Sequence, residues 1–237
     1  MHLREMLPLG KFIDMATYYP TIGLEIHAEL NTASKMFSNE VNDPFHGEQN
    51  THIGPVSLAY PGALSVPNIK AMEAVVRVGL AVNGTIADYT EFDRKNYFYP
   101  DIPKGYQISQ LDHPIVSGGL LASIEITRIH LEEDTGTSKH TTEGSVVDFN
   151  RAGVPLMELV TEPVIHSAEQ AMIFAKELQI LLRYLNVSHA NMEKGEMRVE
   201  VNISISPDSK VLGTKVEVKN INSFKACLLY TSPSPRD

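Results

Sequence analysis

Glu25, His27 and Glu29 occupy alternate positions in residues 22–30, and Ile22, Leu24, Ile26, Ala28 and Leu30 fill the positions between them. In an extended strand this spacing sends two carboxylates and an imidazole to one face and the apolar side chains to the other. Residues 197–205 repeat the pattern, with Met197, Val199, Val201, Ile203 and Ile205 opposed to Arg198, Glu200, Asn202 and Ser204. Residues 214–220 set Val216 and Val218 against Lys215, Glu217 and Lys219. Residues 124–133 are less regular. Ile124 and Ile126 share a parity with Arg128, His130 and Glu132, whereas Ile129 and Leu131 share the other with Glu133, so this strand switches faces or bulges where the acidic run begins. A solvated strand face ordinarily carries Thr, Ser, Lys and Gln, but these faces combine Glu, His, Arg and Asn. Carboxylates with imidazole suit a hard cation such as Mg²⁺, and Arg and Lys suit the anionic oxygens of phosphate. The expectation is a concave sheet lined by this face.

Two helices are expected to cover that sheet. Asn68 caps a segment with Ile69, Met72, Val75, Val76 and Leu80 on one face, ending at Gly84. Ser167 and Gln170 form a capping box ahead of Phe174, Leu178, Leu181, Leu182 and Leu185. Residues 39–67 and 93–104, rich in Asn, Pro, Gly and Tyr, read as long ordered loops, and loops of that length usually serve a site.

Composition removes several function classes. The 237 residues are 43% hydrophobic, enough for a sizeable core, and the formal charge of −9 argues against binding nucleic acid mainly through clustered Lys and Arg. No apolar run reaches the roughly 18 residues that cross a bilayer, and no signal peptide opens the chain, so a cytoplasmic location is expected. Cys227 is the single cysteine, which leaves no internal disulfide and no cysteine zinc site. The sequence contains no GxxxxGK[ST], GxGxxG, GxSxG or HExxH, so any ATP must be held by a sheet and loops. Residues 1–14 lack a period and read as an extension ahead of a start at Met15. Residues 227–237, CLLYTSPSPRD, break from the preceding pattern, have the Pro and Ser content of an unstructured tail and are similar to a translated sequencing-library adapter. Natural sequence is therefore expected over 15–226, which gives Cys227 no biological meaning.

Seven blocks carry a family resemblance: IGLEIHAELNTASKMFS, YPGALSVPN, FDRKNYFYPDIPKGYQISQ, ITRIHLEEDTG, DFNRAGVPLMELVTEP, NMEKGEMRVEVNIS and GTKVEVKNINSF. In order and spacing they resemble the B subunit of the tRNA-dependent glutamyl/aspartyl amidotransferases, GatB. The resemblance implies an α+β fold, a cradle of mostly antiparallel sheet similar to glutamine synthetase, followed in full-length members by a helical domain and a tRNA-gripping tail. It implies that Mg-ATP phosphorylates the side-chain carboxylate of Glu on tRNA(Gln) or Asp on tRNA(Asn), and that ammonia displaces the phosphate. The ammonia would come from the partner amidase, GatA, with the small partner GatC completing a heterotrimer. By the same resemblance Glu25, His27, Glu132 and Glu217 form the metal set, with Glu133 a substitute for Glu132. Lys95 and Lys104 bind phosphate or the tRNA 3′ end, and Arg198, Glu200 and Lys219 line the cavity, Arg198 as a phosphate ligand.

Several of these residues also admit blander roles. Lys95 and Lys104 are equally ordinary surface charges, Glu29 sits at the wet end of its strand, His130 orients its acidic neighbours, and Tyr97, Phe98 and Tyr99 form a core cluster or stack on the terminal adenine. Many relatives carry paired cysteines before the YPG block; residues 38–60 have none, and His46 and His52 alone cannot build a structural site, so no zinc is expected. Glu196 and Val199 stand where many relatives have Ser and Cys, a departure that bears on the cavity's detail. The rival readings are a tRNA-positioning subunit without chemistry and a free-standing carboxylate-amine ligase. Without the tRNA-gripping parts the chain alone is expected not to sustain the full reaction.

Overall fold

The computed structural model describes residues 18–231, so the expectations about residues 1–14 and 232–237 lie outside the described residues. In chain order the elements are β1 (Tyr19–Glu29), α1 (Ile69–Ala81), β2 (Thr85–Ile86), β3 (Asp93–Asn96), β4 (Tyr106–Ser109), β5 (Val116–Ser117), β6 (Leu120–Leu121) and β7 (Ile124–Glu133). They continue with β8 (Thr137–Thr141), β9 (Gly144–Asp148), β10 (Pro155–Thr161), α2 (Ala168–Tyr184), β11 (Met197–Ser206), β12 (Val216–Ile221) and α3 (Phe224–Thr231). The main sheet runs β12-β11-β1-β10-β7-β5-β2, with β6 also on β7, and all its pairings are antiparallel. Two hairpins, β3-β4 and β8-β9, stand apart from it. This is a mixed fold dominated by antiparallel sheet, as the alternation requires.

One face of the sheet is the core. Ile22, Leu24, Ile26, Ala28, Met197, Val199 and Val201 are fully buried there, under α1, α2 and α3. Asn68 caps α1 by accepting from the Lys70 amide, and Asn83, at φ 57, turns the chain before Gly84. The buried stripe of α1 differs from the expected one: Ala71, Ala74, Val75, Val78 and Gly79 face the sheet, and Ile69 and Leu80 face solvent. Small residues win because the helix lies close; a Cβ on Gly79 would sit 2.5 Å from Val116 Cγ2. For α2, Ser167 accepts from the Gln170 amide, and Gln170 returns the bond to the His166 amide rather than to Ser167. Phe174, Leu178 and Leu182 are buried, and Leu181 and Leu185 pack against the same core.

Four expectations about local structure change. The bulge in β7 lies at Thr127, where the register with β10 jumps from Val160↔Arg128 to Thr161↔Ile126, ahead of the acidic run. It flips parity, so Ile124 and Ile126 join Ile129 and Leu131 on the core face while Arg128, His130 and Glu132 take the other face. Residues 93–96 form a strand rather than the start of a loop, and the alternation of β11 fades after Ile203, leaving Ile205 exposed and Ser204 buried. Cys227–Thr231 continue α3, with Cys227 buried, instead of beginning an irregular tail.

Candidate functional site

Antiparallel register turns alternate residues into rows across the sheet. Arg198 pairs with His27, His27 with Glu158 and Glu158 with His130, which lays a charged row across four strands. The next row joins Glu200, Glu25, Val160 and Arg128, and beyond it Asn202 pairs with Glu217. The β3-β4 hairpin faces these rows, and between them lies a cavity of about 700 Å³. It is lined by both signs of charge, among them Glu25, His27, Lys95, Arg128, Glu132 and Asp134.

The inner group is His27, Glu132 and Glu158. His27 Nε2 lies 3.4 Å from Glu132 Oε1 and 3.3 Å from Glu158 Oε2, and His130 Nε2 approaches the same Glu158 oxygen at 3.3 Å. Burial disfavours charge on His27, but its hydrogen bonds to the two carboxylates outweigh it and push its pKa up to about 10. Burial likewise opposes ionisation of Glu158, and the imidazoles of His130 and His27 hold it well below the usual carboxylate range. The outer group is Glu25, Glu200 and Glu217, one ligand atom from each lying within 4.8 Å of the others, as in the inner group. Asn202 Nδ2 donates to Glu25 Oε1 at 2.8 Å, and Lys219 reaches Glu200 at 3.2 Å and Glu217 at 3.1 Å. The register between β11 and β12 shifts by one residue between Val218 and Ile221, the stretch that carries Lys219 and Asn220, the latter at φ 58. Oxygen donors with one imidazole fit a hard divalent ion, and the outer group has three carboxylates against one lysine.

Two arginines organise the far wall. Arg198 Nη2 donates to Asp134 Oδ2 at 2.8 Å and Nη1 to the Gly195 carbonyl, while Arg151 donates to the Thr135 and Gly136 carbonyls. Burial opposes ionisation of Asp134, but Arg198 and Arg151 hold its pKa down at about 2. Glu29 is 6% exposed beside this pair, so its end of β1 is dry rather than wet. Burial first, and the Asp134 charge second, push its pKa up to about 8.

The expected residues divide. Glu25, His27, Lys95, Glu132, Arg198, Glu200 and Lys219 line the cavity, whereas Lys104, Glu133 and Glu217 lie outside its lining. Lys104 and Glu133 are buried against each other, and the Ile108 amide donates to Glu133 as well. The bulge explains this: it places Glu132 on the cavity face and turns Glu133 away. Phe98 is 94% exposed and Tyr99 exposed, so these aromatics form no core cluster. Val199 faces the core and Glu196 accepts from the Asn191 amide, so neither departure touches the cavity lining. In residues 38–60, Ser38 and Ser57 hydroxyls both donate to Glu40 Oε2, at 2.9 and 2.5 Å, and tie that loop together.

Sequence reasoning missed Glu158, Arg128, Asp134 and Arg151. Glu158 sits in PLMELVT, buried on both faces, where no alternation marks it. Arg128 could have been found once the bulge was placed. Its Nε, the Nδ1 of His130 and the Oδ1 of Asn202 are buried without hydrogen-bond partners.

Residues 20–229 match the family model of the GatB/GatE catalytic domain. The chain is 50% identical over 219 residues to the B subunit of the aspartyl/glutamyl-tRNA(Asn/Gln) amidotransferase of Thermoanaerobacter pseudethanolicus. It is 48% identical over 231 residues to that of Gloeothece citriformis and 49% over 224 to that of Leptospira biflexa. Each match covers 88% of this chain and 46% of the relative, so the chain spans about half the length of the curated relatives it matches.

Proposed function

The chain belongs to the GatB/GatE catalytic-domain family, and from that premise we propose that its cavity activates and amidates the side-chain carboxylate of Glu on tRNA(Gln) or Asp on tRNA(Asn). In this reading the γ-phosphoryl group of ATP passes to a carboxylate oxygen and ADP leaves. Ammonia then attacks the acyl carbon, the bond to phosphate breaks, and amide, phosphate and a proton result. The observation that carries the reading is the mixed charge of one cavity, lined by the whole inner group of hard donors and by Glu25 and Glu200 of the outer one, beside cations that have no carboxylate of their own.

Magnesium held by His27, Glu132 and Glu158, or by Glu25, Glu200 and Glu217, would neutralise phosphate oxygens. The chain's own residues do the rest. Arg128 has a buried, unpartnered Nε in the cavity wall, and Lys95 stands on the facing hairpin without an ion pair among the described residues; both are free to bind anionic oxygens of donor or acceptor. Arg198 is already committed to Asp134 and so acts by fixing the wall that confines the reacting groups. Phosphoryl transfer needs little beyond such positioning and charge neutralisation. The partners implied are the amidase GatA supplying ammonia, the small GatC, and the misacylated tRNA.

The test uses the full-length gene co-expressed with those partners, comparing wild type with Glu25→Ala and His27→Ala in ATP-dependent amidation of misacylated tRNA. Loss of phosphate release with glutaminase activity and tRNA binding retained is the expected result. Unchanged amidation would make the face a solvated surface, and equal turnover of free Glu or Asp would favour a free-standing ligase.

A further inference from the structure

The outer group treats its three carboxylates unequally. Lys219 Nζ lies 3.2 Å from Glu200 Oε2 and 3.1 Å from Glu217 Oε1, so two of them share one ammonium. Glu25 has no cation partner among the described residues; its partner is the neutral amide of Asn202, at 2.8 Å.

Strand register accounts for that amide. Asn202 stands opposite Gly23 on β1 and Glu217 on β12. Gly23 brings no side chain, so Asn202 leans diagonally along β1 to Glu25, a reach that antiparallel neighbours allow. A carboxylate only accepts hydrogen bonds, which fixes the sense of the amide. Its Nδ2 goes to Glu25 Oε1, and its Oδ1 is turned elsewhere, buried without a partner. Asn202 therefore orients one carboxylate without neutralising it and leaves one more hard oxygen unspent.

Lys219 is held differently. It lies on β12, an edge strand of the main sheet, in the stretch where the register to β11 slips, with Asn220 beside it at φ 58. Its side chain is 58% exposed, so its ion pairs are weak and exchangeable. An ammonium bridging two carboxylates is a monovalent stand-in for a divalent ion. It offsets the repulsion among three carboxylates with oxygens within 4.8 Å of one another, and it gives way to a cation of twice its charge.

Resting on the reading that the outer group takes a divalent ion, we propose that Lys219 holds that ion's place and is displaced by it, whereas Asn202 is the positioning residue that keeps Glu25 aimed and charged for it. The two residues act on ion affinity with opposite sign, one by competing and one by orienting.

The experiment measures Mn²⁺ binding to the full-length protein in complex with its partners, without ATP, from the electron paramagnetic resonance signal of the free ion. Glu200→Gln identifies the outer group: the class of binding that it weakens is that group's. In that class Asn202→Leu is expected to bind about tenfold more weakly. Lys219→Met is expected to bind about three- to fivefold more tightly, the scale of an exposed ion pair. Binding outside that class should keep its wild-type affinity in both variants, a result that general loss of structure would not give. If Asn202→Leu fails to fold, Asn202→Ala replaces it with the same expectation. Unchanged affinity in either variant, or a shift of both in one direction, overturns the proposal. Mn²⁺ binding that Glu200→Gln leaves untouched overturns the outer group as an ion site, and the proposal with it. A complex that binds Mn²⁺ as expected and yet releases no phosphate from ATP upholds the proposal and overturns the amidation reading, so the two failures are distinguishable.

Discussion

Glu132 and Glu133 are neighbours in the chain and opposites in use. Glu132 faces the cavity, shares His27 with Glu158, and belongs to a group whose ligand atoms lie within 4.8 Å of one another. Glu133 faces away and closes one to one on Lys104, with both side chains all but sealed from water. Lys35 behaves like the second case: it is fully buried, and its ammonium donates to the His52 and Ala152 carbonyls at 2.6 Å each. Charge recruited to hold the fold saturates itself, because an unpaired buried charge is costly. Charge kept for a ligand leaves atoms open, as at Arg128 Nε and His130 Nδ1. The comparison therefore predicts different failures on the two sides of one strand.

The largest effect is expected on the cavity side. Glu158→Gln keeps the shape of the inner group and removes the charge shared by His27 and His130. ATP-dependent phosphate release by the full complex should fall by about 10²–10³-fold, the scale on which single electrostatic groups act in catalysis. A loss below about threefold would move the inner group to the structural side and erase the distinction.

The mirror experiment is Lys104→Met. It leaves the Glu133 carboxylate buried and uncompensated, and unfolding should become easier by about 3–5 kcal/mol. Lys104→Met/Glu133→Met should recover most of that loss, since apolar replacements of a buried pair cost little. If the single variant unfolds at the wild-type denaturant concentration, the Lys104 amine is not closed, and its expected role as a phosphate ligand returns.

Glu200→Gln probes the outer group, which is more exposed and already holds Lys219. A weaker effect follows: the magnesium concentration for half-maximal phosphate release should rise about tenfold, with the maximal rate less affected. Unchanged magnesium dependence would assign the outer carboxylates to Lys219 alone.

How much of this was legible depends on how each residue is constrained. Alternation placed Glu25, His27, Arg198 and Glu200 on one face because β1 and β11 each bury only one side, so period two survives in the sequence. It failed at Glu158 because β10 is covered on both faces and reads as a continuous apolar run. It left Glu132 and Glu133 undecided because one bulged residue, Thr127, inverts parity, and no residue type announces a bulge. The partner of Lys104 was not legible for another reason. A loop lysine is ordinarily a surface charge, and only the folded β3-β4 hairpin brings it against a carboxylate from β7. The helices showed the same limit: caps are local and were readable, whereas the face of α1 was set by how closely Gly79 lets it approach Val116.

The smallest effect is expected from Lys35, and it separates a buried charge held by carbonyls from one held by a carboxylate. Burial pushes the Lys35 pKa down to about 8 from an ordinary 10.5, despite help from Glu40, Glu133 and Asp148. Between those two pH values the unfolded chain binds a proton at this site that the folded chain has released. Stability contributed here therefore rises with pH through the window, by on the order of 1 kcal/mol per pH unit, and is flat below it. Lys35→Met removes the site from both states. Denaturant titrations of wild type and variant from about pH 7 to about pH 10 should show the difference in their unfolding free energies changing in favour of wild type above about pH 8. A constant difference would mean that the two carbonyls hold the ammonium charged throughout, and that carbonyl and carboxylate partners are equivalent behind this sheet.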